Sequence, residues 1–140
     1  MYEYQCKIVR VVDGDTVDVD IDLGFGVWMK KQRIRLYGVD TPESRTSDAE
    51  EKVYGNIAKH FVQNHLPLDS MQTLRTKKDS HGKYGRILGE FVYEYEYEKI
   101  TIKTTVNEEL IKSHNAVAYH GQSKDDIAEE HIKNREFVQV

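Results

Sequence analysis

From Thr16 to Leu23 the chain alternates without interruption, with Val17, Val19, Ile21 and Leu23 on one side of an extended backbone and Asp18, Asp20 and Asp22 on the other. Period-two alternation predicts a half-buried antiparallel strand with one wet face. Before it, Cys6 to Val12 is rich in Val and Ile and predicts a first strand, joined to the second by the Asp13-Gly14-Asp15 turn signal. Gly24-Phe25-Gly26 breaks the second strand, and Val27 to Leu36 supplies a third. The period then changes. Val53, Ile57, Phe61 and Ala58, Val62 recur at helical spacing as far as Leu66, where Pro67 ends the run, and Ser47 with Glu50 fits a capping box at its start. Gly55 inside that helix costs roughly 1 kcal/mol relative to Ala, which points to a close packing contact there.

Beyond the helix, Met71 to Lys78 reads as a strand, Asp79 to Gly85 as a loop, and Arg86 to Tyr97 as another strand in which Phe91, Tyr93, Tyr95 and Tyr97 alternate with glutamates. Thr105 with Glu108 caps a short helix through Leu110 and Ile111, stopping near Asn115, and Ser123 with Asp126 caps a last one reaching Arg135. The pattern predicts an α+β domain spanning residues 1–140, with about five strands, one helix after the third and two more at the end. A small closed barrel buttressed by helices accommodates short, strongly twisted strands of that number.

Composition narrows the setting. The 140 residues are 39% hydrophobic and 31% charged, an ordinary globular balance, and no run approaches the ~18 apolar residues of a membrane span. The first residues lack the apolar core of a secretory signal and Cys6 is the only cysteine, so the expectation is an intracellular protein, of the kind a phage or mobile element carries. Net charge is −4, so any anionic partner must meet a local patch or a bound cation. Lys30, Lys31, Arg33 and Arg35 form one such patch, and Lys77, Lys78, Lys83 and Arg86 a second.

The densest chemistry lies in RIRLYGVDTPESR, Arg33 to Arg45. Strand parity puts Arg33 and Arg35 on one face and Ile34 and Leu36 on the other, towards a core. Asp40 and Glu43 follow on a turn stiffened by Thr41-Pro42. If Asp15 converges with them, the carboxylates repel one another unless a cation or shared proton compensates, and calcium or magnesium takes such oxygen ligands. Arg35 and Arg86 offer guanidinium forks matched to phosphate, and Glu43 a base for an attacking water. Asp18, Asp20 and Asp22 do not form a calcium loop, because Leu23 and Met29 occupy the positions where that template needs Gly and Glu. They read as a solvated strand face. The six histidines offer no metal spacing and read as surface residues.

VVDGDTV (Val11 to Val17), RIRLYGVDTPES (Arg33 to Ser44), EKVYG (Glu51 to Gly55) and KYGR (Lys83 to Arg86), extended by VNEEL (Val106 to Leu110) and VAY (Val117 to Tyr119), resemble the thermonuclease, or staphylococcal nuclease-like, family. The resemblance implies a five-stranded OB-fold barrel with three helices that cuts DNA or RNA with calcium. It makes Asp15 and Asp40 the calcium carboxylates and Thr41 a backbone-carbonyl ligand. Arg35 and Arg86 become the phosphate-binding arginines and Glu43 the carboxylate acting on water. Lys83, Tyr84 and Tyr119 fall beside the substrate. Gly82 departs from the family's aspartate. The expected protein is a monomeric phosphodiesterase of low sequence specificity, the alternative being a binding module, which has little chemical reason to keep the whole set.

Overall fold

The computed structural model describes residues 2–77 and 86–140. Strands β1 (Tyr2–Asp13), β2 (Thr16–Gly24) and β3 (Val27–Leu36) form an antiparallel meander. After the two-residue strand β4 (Val39–Asp40) comes helix α1 (Ala49–His65), then β5 (Met71–Thr76), β6 (Ile87–Tyr97) and β7 (Ile100–Thr105). Helix α2 (Val106–Lys112), strand β8 (Val117–Ala118), helix α3 (Lys124–Asn134) and a 3-10 turn (Arg135–Phe137) complete the chain. The sheet runs β3-β2-β1-β5-β6-β7, and parallel pairing of β3 with β6 closes its first five strands into a barrel. This is an α+β, OB-fold-like barrel with three α-helices among the described residues. None of those helices is long and apolar enough to cross a membrane.

The core follows from strand parity. Ile8, Val17, Val19, Ile34, Leu74 and Phe91 point into the barrel and are fully buried. Asn107, the buried polar residue of α2, donates to the carbonyls of Tyr37 at 2.9 Å and Gly89 at 3.2 Å. One amide thus ties the end of β3 to β6, beside the seam that closes the barrel.

Four details differ from the expectations. Strand β7 lies outside the five-stranded ring, paired with the far half of β6 from Val92↔Thr105 to Tyr97↔Ile100. Its two-residue turn is Glu98-Lys99, both at positive φ (49° and 67°), where Asn-Gly is the usual signal, so the hairpin leaves no turn signature in the sequence. Second, α1 is capped by Asp48 rather than Ser47, its carboxylate accepting from the N–H groups of Glu50 and Glu51, both at 3.1 Å. Third, the β2 aspartates are not simply solvated. Asp20 is buried and accepts the N–H of Lys31 at 2.9 Å, pinning an irregularity in the β2–β3 ladder where Lys31 takes φ 52°. That N–H holds the Asp20 carboxyl below its usual range. Fourth, Leu23 is exposed, because the β2–β3 hairpin runs past the end of the core.

Two glycines set the site. A Cβ built on Gly14 would lie 2.9 Å from Thr41 Oγ1 and 3.0 Å from Ala58 Cβ, so the β1–β2 turn nests against both the β4 segment and α1. A Cβ on Gly55 would land on the Glu43 carbonyl, which confirms the close contact expected at that helical glycine. Gly55→Ala should therefore destabilise the fold by about 1–3 kcal/mol, overpacking outweighing the ~1 kcal/mol gained in helix propensity. Urea unfolding measures this, and a Gly55→Ala protein as stable as wild type would contradict the close approach.

Candidate active site

Four pieces of chain meet in one open cleft of about 480 Å³. The β1–β2 turn brings Asp13 and Asp15, β3 brings Arg33 and Arg35, and the β4 segment brings Asp40, Glu43 and Arg45. Arg86 arrives just before β6. Five of the sequence-predicted residues, Asp15, Arg35, Asp40, Glu43 and Arg86, thus share one cavity although they span more than half the chain. Thr41 is buried beside them, and its Oγ1 has no hydrogen-bond partner. Tyr119 lines an adjoining groove of about 720 Å³ that shares Arg35, Asp40 and Arg86 with the cleft. Lys83, Tyr84 and the Gly82 departure lie outside the described residues.

The two arginines on the same face of β3 hold different partners. Arg33 is gripped by Asp18, its Nε and Nη2 donating at 2.9 and 3.1 Å across the β2–β3 ladder. Arg35 donates from Nη1 to the carbonyls of Leu36 and Val39, both at 2.8 Å, while Nη2 lies 3.5 Å from Asp15 Oδ2 and 3.8 Å from Asp40 Oδ2. One nitrogen anchors the side chain and the other faces the acids. The Asp15 backbone is fixed as well, its carbonyl accepting from Leu36 N–H at 2.8 Å and its carboxylate from Thr16 Oγ1 at 3.0 Å. Of the first basic patch only the two arginines line the cleft. Lys30 lies against Asp20 (3.5 Å) and the Trp28 ring.

Crowding governs the electrostatics. Burial pushes the Asp15 carboxyl above its usual range, Arg35 pulls it back, and Asp13 and Asp40 push it up again. Glu43 is an exposed residue, yet partial burial of its carboxyl raises it to about 7, with Asp13, Asp15, Asp40 and Glu51 adding to the shift. A carboxyl near neutrality is matched to proton transfer at neutral pH.

Comparison with known proteins places the chain. The family model described as "Staphylococcal nuclease homologue" matches residues 33–138, most of the chain including α3. The chain belongs to this family. A thermonuclease of Staphylococcus hyicus is 37% identical over 86 residues, covering 61% of this chain and 47% of the relative. A thermonuclease of Staphylococcus intermedius is 36% identical over 81 residues, covering 58% and 44%. Endonuclease YhcR of Bacillus subtilis is 29% identical over 122 residues, covering 84% of this chain but 9% of the relative. The matches to the two staphylococcal proteins thus span about half of each relative.

The cleft of this staphylococcal nuclease homologue fits a hard divalent cation. Asp15 and Asp40 each turn an oxygen to the same guanidinium, Asp15 carries a desolvation penalty that a cation offsets, and Thr41 Oγ1 is an orphaned polar atom alongside. Among the described residues no three His, Cys, Asp or Glu side chains form a ready metal cluster. Backbone carbonyls and water must complete the shell, as they do for calcium.

The residues overlooked in the sequence are Asp13 and Arg45, both cleft-lining, and His131. Reading all histidines as surface residues was wrong for three of them. His65 packs against Phe61 and Tyr93, His114 stacks on Phe137, and His131 Nε2 lies 2.7 Å from Asp40 Oδ1. No spacing rule exposes a lone histidine whose partner stands 91 residues away.

Glu43 also yields a pH signature. A carboxyl that titrates higher folded than unfolded holds its proton more tightly in the fold. Its contribution to stability is therefore fully present below pH 4.5 and is lost as pH rises through about 7. In chelator, wild-type stability should fall across that window and Glu43→Gln should flatten the fall. Parallel profiles for the two proteins would refute the assignment.

Proposed function

We propose that this protein is a calcium-dependent nuclease that hydrolyses phosphodiester bonds of DNA, RNA or both with low sequence specificity. The observation that carries the reading is the convergence of Asp15, Arg35, Asp40, Glu43 and Arg86 on one open cleft. Nuclease-named relatives and membership of the family support it.

Asp15, Asp40 and the backbone carbonyl of Thr41 would hold calcium, which supplies charge neutralisation and polarisation of a phosphoryl oxygen. Arg35, anchored through Nη1, directs Nη2 into the cleft, where it is set to meet a phosphate oxygen. Arg86 lines both the cleft and the adjoining groove. Together the two guanidinium groups stabilise negative charge that grows only as phosphorus becomes five-coordinate. Glu43 accepts a proton from the attacking water. Tyr119 and the largely apolar groove suit a nucleoside beside the scissile phosphate, and Lys83 and Tyr84 are assigned by position to the same substrate. Contacts to phosphate position the strand without reading its bases, which accounts for low specificity.

Digestion of single-stranded DNA, duplex DNA and RNA with calcium, with magnesium and with chelator tests the proposal. Activity should require calcium. It should drop by about 10²–10⁴-fold in Glu43→Ala and by at least about 10²-fold in Arg35→Ala and Arg86→Ala, each still folded. Cleavage undiminished in chelator would remove the cation, and binding without cleavage of any substrate under saturating calcium would make the protein a binding module.

A further inference from the structure

Asp40 is held from two directions. Its backbone pairs with Val117 in the short β4–β8 ladder, and its side chain is met by His131 from α3, Nε2 lying 2.7 Å from Oδ1. A carboxylate has no proton to give, so the imidazole is the donor. The two carboxylate oxygens then have separate environments: Oδ1 faces His131, and Oδ2 faces the Arg35 guanidinium across the cleft. His131 is itself confined, its side chain 12% exposed. Helix α3 is braced near it by Asn134 Nδ2 donating to the Ala116 carbonyl at 3.3 Å. Arg135 adds an ion pair with Glu50 at 3.3 Å and a guanidinium stacked over the Tyr54 ring.

We propose that His131 is a positioning residue for cation binding: by occupying Asp40 Oδ1 it fixes the carboxylate plane so that Oδ2 is presented to the cleft. This rests on the calcium reading of the cleft. The chemistry is that of an outer-shell partner, which orients a ligating group and limits the rotations it must give up on binding; losing such a partner costs about 10- to 100-fold in metal affinity. The role also gives α3 a function. Its exposed faces contribute no buried residue to the core, yet it carries the group that orders Asp40.

The rival account is that the contact merely fastens α3 to the barrel. Calorimetric titration with calcium alone separates the two, using wild type, Asp40→Asn, His131→Ala, His131→Phe, His131→Gln and Arg135→Ala, with melting temperatures measured in chelator. Both donor-less variants should bind calcium about 10- to 100-fold more weakly, the Phe variant keeping a ring in the site. His131→Gln, which retains an N–H donor, should recover affinity to within about threefold of wild type. Arg135→Ala loosens α3 elsewhere and should lower the melting temperature while leaving calcium affinity unchanged. Unchanged affinity in folded His131→Ala or His131→Phe, with Asp40→Asn impaired, overturns the positioning role and leaves the calcium reading standing. Wild-type protein that binds no calcium overturns both.

Discussion

Like charges in one small space are the constraint on which this molecule turns. Asp13, Asp15, Asp40 and Glu43 share a cleft, burial lifts the Asp15 and Glu43 carboxyls, and the charges of Asp13 and Asp40 lift both further. Within the protein the relief comes from arginine, above all the single Arg35 nitrogen aimed at both Asp15 and Asp40. Such an arrangement is poor for stability and good for binding. A divalent cation held there would supply the missing positive charge and relieve the repulsion. Net charge of −4 does not preclude the proposed polyanionic substrate, because Arg33, Arg35, Arg45 and Arg86 gather positive charge at the cleft.

The barrel's contribution is to make that crowding possible. Parity along β3 sends Ile34 and Leu36 inward and both arginines outward, and the neighbouring β2 residue decides what each arginine does. Asp18 occupies Arg33, whereas Arg35 stands opposite Thr16 at the end of the ladder, where the Asp15 turn folds over it. The glycines complete the arrangement. Gly14 lets the turn approach Thr41, and Gly55 lets α1 approach Glu43, so two segments distant from the strands are brought to contact distance. Neither glycine is catalytic in its chemistry. Both act by having no side chain.

Much of this was legible in the residues, because strand alternation and cap chemistry are local. The meander, the helix over Val53 to Leu66, the caps at Thr105 and Ser123 and the inward and outward faces of β3 all follow from spacing. Convergence of Asp15 with Asp40 does not, since it depends on barrel closure and on the contact at Gly14. Strand β7 escaped because Glu98-Lys99 adopts a turn conformation that other residues favour. Asp20 looked solvated because alternation reports which face a side chain occupies and not whether a neighbouring backbone folds over it. His131 lies in KDDIAEEHIKN, a helix without a buried face of its own, where nothing local marks it as the partner of a residue in β4.

The measurement that bears most directly on the account is a crystal structure of the protein soaked with calcium. The account predicts one ion in the cleft, coordinated by Asp15 and Asp40 carboxylate oxygens and the Thr41 carbonyl at about 2.3–2.6 Å, with water filling the remaining positions beside Glu43. Calcium bound elsewhere, with the cleft unliganded in a protein that still cleaves nucleic acid, would contradict it.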